Sequence, residues 1–274
     1  YSILPKLKES FPNVRTVNLL HNDSDLGFFR HSVQYDSYLD LHIVVNELIK
    51  QKLHAMGKVD LAKVYTIYNA IDEEKVFNPA LYQPEKVRER WQLPPGKKVV
   101  TYIGRLSREK QPDHFLRLAS KLKHRSDLFF LLVGDGPLRD IVEAKIKQLG
   151  LQEHLRWYKM VSPEQIPEIL AGTDLVVLTS EVEGFPMVVL ETLAMGVPVI
   201  SYDVGDVRSV VQSGVNGFII PPQQHELLVQ KVSEVLSDES MLEGLRKRAR
   251  VVLIERDFTL ERMIKQYQEV LVPR

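Results

Sequence analysis

From Val99 onward the sequence alternates short apolar runs with amphipathic stretches, and that alternation limits the chain to very few architectures. Val99–Ile103, Leu128–Val133, Leu175–Thr179 and Val197–Tyr202 carry little polar interruption, which is how strands buried on both faces of a parallel sheet read. Helical patterns fall between them at about Gln111–His124, Pro137–Leu149, Glu164–Ala171 and Pro186–Met195. Others come later, at about Asp206–Ser213, His225–Leu236, Ser240–Ile254 and Leu260–Leu271. Gly104, Gly134 and Gly136 sit where strands end, and Gly196 stands after a helix as a C′ glycine does. The repetition predicts a doubly wound α/β sheet that binds ligands at the carboxyl ends of its strands.

Residues 1–78 carry a shorter run of the same kind. It reads as helix Leu4–Ser10, strand Val14–Leu20, helix Ser32–Leu39, strand Leu41–Val45, helix Glu47–Met56 and strand Val64–Tyr68. Three strands are too few for an independent dinucleotide-type domain, so this block reads as the carboxyl half of one. Residue 1 is Tyr and the chain opens on a helical stretch, so a further segment is expected upstream. Pro79, Pro84, Pro94 and Pro95 mark residues 79–96 as the connection between domains, with a short helix at Glu85–Trp91.

At 274 residues the chain is long enough for two domains. Its 36 Lys+Arg balance 36 Asp+Glu, so it lacks the long-range field of a dedicated nucleic-acid binder. There are no cysteines, which excludes disulfides, cysteine-ligated metals and thiol nucleophiles. No uncharged apolar run approaches the roughly 18 residues of a membrane span, and no signal peptide is visible at the start.

Three strand-end stretches carry chemistry. Gly104-Arg105-Leu106-Ser107-Arg108-Glu109-Lys110 turns off a buried strand and projects Arg105 and Lys110, two cations able to neutralise a diphosphate. Alone, such a loop reads better as a solvated basic turn. Gly134-Asp135-Gly136-Pro137 permits close backbone approach to a ligand, or is merely a tight turn before a helix. It is not a dinucleotide fingerprint, because no third glycine stands at the required spacing.

Glu183-Gly184-Phe185-Pro186-Met187-Val188-Val189-Leu190-Glu191 is the most informative. It opens a helix at about Pro186, whose free first-turn N–H groups and dipole favour an anion. Glu183 precedes that turn and Glu191 lies about a turn and a half inside the helix. The pair could flank a diphosphate and accept hydrogen bonds from hydroxyls, or be surface acids.

These residues resemble the retaining glycosyltransferases of the GT-B fold, specifically the glycogen-synthase-like and mannosyltransferase-like glycosyltransferase family 4. Glu183 and Glu191 match that family's Glu-x7-Glu motif, with Gly-Phe-Pro in place. Residues 171–180 resemble the strand leading into the motif, and Gly196-Val197-Pro198-Val199-Ile200 and Asn216-Gly217-Phe218 resemble the family's segments downstream of it. Gly104-Arg105 with Lys110 is similar to the family's diphosphate loop. Ile67-Tyr68-Asn69-Ala70-Ile71-Asp72 resembles its Asn-Gly-hydrophobic-Asp segment, with Ala70 where glycine is usual. The resemblance covers roughly residues 14–272.

The resemblance implies a GT-B-type α/β fold of two Rossmann-like domains with parallel sheets, the first incomplete. Residues 1–78 would belong to the acceptor-side domain and 79–96 would link it to a donor-binding domain at 97–255. Residues 256–274 would form a helix packing back toward the first domain. The implied reaction moves a hexose from a nucleotide-diphosphate sugar to an acceptor hydroxyl with retention, and needs neither metal nor cofactor. Arg105 and Lys110 would bind the diphosphate and stabilise the leaving group, Glu191 would hold the ribose hydroxyls, and Glu183 would contact the donor sugar.

Gly104, Gly134, Gly184 and the backbone of Phe185, Pro186, Met187 and Val188 would complete donor binding, with Tyr158-Lys159-Met160 lining the base pocket. His21 resembles the family's strand-end histidine with a catalytic or sugar-contact role; a structural histidine or a cap neighbour of Asp23 is the alternative. The partner is a nucleotide sugar, and lipid-linked or polysaccharide acceptors are plausible. No nucleic acid is implied, and membrane contact is at most peripheral. Arg246-Lys247-Arg248-Ala249-Arg250 could meet anionic lipid, but reads better as a solvated helix face. Donor supply places the chain in the cytoplasm. A GT-B binding module without turnover, or a sugar-nucleotide epimerase, are the competing readings.

Overall fold

The computed structural model describes residues 1–21, 28–57 and 59–272, which divide into two units. The first unit comprises residues 1–70, 183–185 and 260–274, and the second 71–182 and 186–259.

In the first unit the order is α1 (Leu4–Ser10), β1 (Val17–Leu20), α2 (Phe28–Gln34), β2 (Leu41–Val44), α3 (Glu47–Gly57) and β3 (Val64–Thr66). The strands pair in parallel in the order β1-β2-β3, with Val17 opposite Leu41 and His42 opposite Val64. One sheet face is apolar and the other holds a buried polar chain. Asn18 Nδ2 donates to Ser32 Oγ at 2.8 Å and faces His42 Nδ1 at 3.1 Å, while His42 Nε2 meets Asp36 Oδ1 at 2.8 Å. The helix expected at Ser32–Leu39 is therefore displaced. Ser32 points inward from α2, and Asp36–Tyr38 forms a separate 3-10 turn that brings Asp36 to His42.

The second unit takes in the proline-rich segment expected to be a connection. Three residues of 79–96 are part of its core: Val87 of α4 (Pro84–Arg90), with Trp91 and Leu93, packs against Val99, Phe129, Leu131 and Ile169. The prolines shape this segment without freeing it. Pro84 occupies the first turn of α4, where a missing N–H costs nothing.

After α4 come β4 (Lys98–Ile103), α5 (Pro112–Leu122), β5 (Leu128–Val133), α6 (Arg139–Gln148), β6 (Leu155–Tyr158), α7 (Ile166–Ala171) and β7 (Leu175–Leu178). Then come α8 (Met187–Ala194), β8 (Val199–Tyr202), β9 (Gly217–Ile220), α9 (His225–Ser237) and α10 (Glu239–Glu255). All strand pairs are parallel, in the order β6-β5-β4-β7-β8-β9. Every residue of β5 is buried, as the uninterrupted apolar run requires. The edge strands β6 and β9 are not evident in the sequence pattern, because each is only half covered and so lacks a continuous apolar run.

The helix expected at Asp206–Ser213 shrinks to a 3-10 turn, Val207–Ser209. The fully buried Asn216 takes the backbone groups that would extend it: its Nδ2 donates to Val210 O at 2.9 Å, and its Oδ1 accepts from Gln212 N at 2.7 Å.

The last helix, α11 (Leu260–Leu271), belongs to the first unit. It lays Met263, Tyr267 and Val270 over Leu41, Ile43 and Ile67. Arg15 donates to Val270 O and Leu271 O, both at 2.9 Å, placing a cation at the negative end of the helix. Among the described residues no helix is long and apolar enough to cross a membrane.

Candidate active site

Strand order fixes where the second unit can bind. The chain leaves β4 for β5 and β6 on one side, then crosses to β7 on the other. The carboxyl ends of β4 and β7 therefore diverge at a topological switch point, the usual ligand crevice of such sheets. The loops leaving these strands hold Arg105 and Lys110 after β4, and Thr179 through Val182 after β7.

A cavity of about 450 Å³ opens beside the ends of β4, β5 and β6. Its walls bring together five residues singled out from sequence, Gly104, Arg105, Gly134, Lys159 and Met160, and add Asp135. Met160 is 88% exposed, so its thioether is open for contact with a flat ring. Tyr158 does not line the cavity. Its hydroxyl donates to Trp91 O at 2.6 Å, and its ring meets Trp91 edge-on at 4.9 Å, so it serves the core.

The cavity walls are tied by two backbone bonds and one from an indole N–H. Gly104 N–H donates to Val133 O at 3.0 Å, Leu106 N–H to Asp135 O at 2.9 Å, and Trp157 Nε1 to Gly134 O at 2.9 Å. Gly134 has φ +133°, and a Cβ there would collide with Gly104 O. Gly134→Ala is thus expected to lose about 2–4 kcal/mol of stability and to distort the Arg105 loop, because both the backbone conformation and the space exclude a side chain. Urea unfolding checks this; a loss below about 0.5 kcal/mol would mean that the two loops are not held in contact.

The Glu183–Glu191 stretch is shared between the two units. Glu183, Gly184 and Phe185 group with the first. There Asn46, buried at the end of β2, accepts from Ile49 N at 2.8 Å to start α3 and donates from Nδ2 to Gly184 O at 3.0 Å. The ring of Tyr68 lies 5.6 Å from that of Phe185.

From Pro186 the chain is in the second unit. Pro186 is the N-cap of α8 and makes no side-chain cap bond, and the first turn, Met187 and Val188 included, carries the amides that favour an anion at a helix start. Glu191 lies in the second turn of α8, and burial pushes its carboxyl up to about 7. His21 is exposed immediately after β1; Asp23, its alternative neighbour, lies outside the described residues.

The basic run of α10 is largely engaged. Arg246 contacts Asp174 and Glu243, Arg248 pairs with Glu255 at 2.9 Å, and Arg250 donates to the carbonyls of Glu73, Phe77 and Ala194 at 2.7–2.8 Å. Asn46 and Thr179, which act on neighbouring backbone, escape sequence reasoning. The available signal is a polar residue closing an otherwise apolar strand.

Residues 83–252 match the family described as glycosyl transferases group 1, and the chain belongs to that family. It is similar to the alpha-D-kanosaminyltransferase of Streptomyces kanamyceticus, 27% identical over 80% of this chain and 56% of the relative. It is also similar to the N-acetyl-alpha-D-glucosaminyl L-malate synthase of Bacillus anthracis, 26% identical over 84% of this chain and 59% of the relative. The chain thus spans under two thirds of these relatives' length.

Among solved structures, Anabaena Alr3699/HepE in complex with UDP and glucose superposes with a TM-score of 0.85 at 21% identity, over 98% of this chain and 74% of that one. The expected α/β fold of the GT-B type, with parallel sheets, is the one observed.

Proposed function

We propose that the chain provides the donor site of a retaining glycosyltransferase, which moves a hexose from a nucleotide-diphosphate sugar to an acceptor hydroxyl without a metal. The observation that carries the reading is the cavity where Gly104, Arg105, Gly134 and Met160 converge at the ends of parallel strands. Family membership supports it, as does a neighbour of the same fold whose structure holds UDP and glucose.

In this reading Met160 and Lys159 receive the base, and ionised Glu191 accepts from the ribose hydroxyls. Arg105, Lys110 and the first-turn amides of α8 hold the diphosphate. Glu183, with Gly184 and Phe185, is assigned to the donor sugar, and His21 to a catalytic or sugar contact, as the family resemblance implies. The bond from the sugar's anomeric carbon to the diphosphate oxygen breaks as the cations stabilise the departing charge. The acceptor oxygen bonds to the same carbon on the same face, and its proton passes to the departing phosphate oxygen. No enzyme nucleophile is required.

The test is a thermal-shift panel of UDP, GDP and ADP on the chain, with Lys110→Ala and Glu191→Ala alongside. Ligand at about 100 times its dissociation constant adds roughly 2.7 kcal/mol, a rise on the order of 5–10 °C at this size. One nucleotide should give that rise, and both substitutions should abolish it. A folded chain that responds to none of the three would refute the donor-site reading.

A further inference from the structure

The segment Glu109–Gln111, which carries Lys110 out of the β4 loop, is stapled to the segment that leaves β7. Thr179 comes directly after β7 and is fully buried. Its hydroxyl lies 2.9 Å from Gln111 O and 3.1 Å from Lys110 O. A hydroxyl has one proton, so it donates to the nearer Gln111 carbonyl. The buried Tyr102 hydroxyl lies 3.3 Å from both Lys110 O and Arg105 O, so its single proton serves one end of the Arg105–Lys110 loop or the other. Two further links join the same segments: Glu181 N–H donates to Glu109 O at 2.7 Å, and Gln111 Nε2 donates to Glu181 Oε2 at 3.1 Å.

Between these staples the backbone is strained. Gln111 has φ +43° and ψ +55°, a left-handed conformation that favours glycine, and it directly precedes Pro112 at the start of α5. Strain of this kind persists only where the surroundings impose it. Here they do so on the residue next to Lys110.

We propose that Thr179, acting through the left-handed turn at Gln111, is the positioning residue that fixes the backbone from which Lys110 reaches the donor diphosphate. The inference rests on the assignment of Lys110 to that diphosphate. It explains why an apolar strand ends in a buried hydroxyl, and why the turn does not relax. It also couples the loops after β4 and β7, so that the cation and the Thr179–Val182 segment preceding Glu183 are set by one hydrogen-bonded unit.

The test measures calorimetric affinity of the full chain for UDP and uridine, GDP and guanosine, and ADP and adenosine. The readout is the diphosphate-over-nucleoside preference for the base the protein accepts. Thr179→Val should cut that preference about tenfold, the scale of a lost buried hydrogen bond, while nucleoside affinity holds. Thr179→Ser should restore it. In a Lys110→Ala background Thr179→Val should have no further effect.

Should Thr179→Val not fold, a second pair of variants asks the same question. Gln111→Val, β-branched and unable to sit at φ +43°, should lose the preference, and Gln111→Gly should keep it. If Lys110→Ala lowers the preference and Thr179→Val does not, the positioning role is overturned and the site assignment stands. If Lys110→Ala itself leaves the preference intact, or no nucleotide binds, both are overturned.

Discussion

Glu191→Gln is expected to make the ligand-free protein more stable at pH 8 and its grip on a nucleoside diphosphate weaker. Burial in the second turn of α8 raises the Glu191 carboxyl from the ordinary 4.5 to about 7. A carboxyl raised on folding contributes most below its unfolded value, and that contribution is lost as pH climbs through the folded one. Stability should therefore fall by about 2–3 kcal/mol between pH 4.5 and pH 8, and Gln, which never ionises, should flatten that slope.

The ligand has the opposite preference. If Glu191 accepts from two ribose hydroxyls, its charged form binds best, and Gln should weaken binding by about 30–100-fold at pH 8. Urea unfolding at pH 5 and pH 8, with calorimetric titration at pH 8, measures both quantities. Parallel pH–stability curves for wild type and variant would remove the buried-carboxylate account.

Asp174→Ala should be the most damaging single change away from the candidate site. The residue is 7% exposed, and its carboxylate is where three elements of the second unit meet. Its Oδ2 accepts from Arg88 of α4 and from the Val99 amide of β4, each at 2.6 Å, and its Oδ1 accepts from Arg246 of α10. Removing it leaves the buried Val99 N–H without its acceptor and takes the shared carboxylate from Arg88 and Arg246, which keep Lys97 O and Glu243, at about 3–5 kcal/mol. The melting temperature should drop by about 10 °C or more. Arg248→Ala, which breaks an exposed pair with Glu255, should move it by no more than about 2 °C. Equal shifts for the two variants would mean that Asp174 is not the junction described.

Much of this fold is legible because buried parallel strands write themselves as apolar runs. Leu128–Val133 is the clearest case, with the same ends in sequence and structure. The less legible elements are those whose context lies elsewhere in the chain. β6 and β9 are strands by virtue of their neighbours β5 and β8. The 79–96 segment looks like a linker by composition, yet three of its apolar residues, Val87, Trp91 and Leu93, are core.

The site divides along the same line. Gly104, Arg105 and Gly134 each stand beside a strand end, where the pattern alone directs attention, whereas Met160 follows β6, which the pattern does not show, and is singled out only by the family resemblance. Asn46 and Thr179 work through carbonyls 138 and 68 residues away, and no local pattern announces such a bond.

The placement of α11 also has a consequence in time. Leu41, Ile43 and Ile67 are covered by Met263, Tyr267 and Val270, so the ribosome must add roughly 200 residues before that cover exists. At ordinary elongation rates the wait is about 10–40 s, during which the second unit can complete its own sheet. Meanwhile the apolar face of the first sheet is open to whatever it meets. A cell making this protein has reason to shelter the nascent chain until this helix emerges, and a chain cut short before Leu260 would lose the Met263, Tyr267 and Val270 cover over Leu41, Ile43 and Ile67.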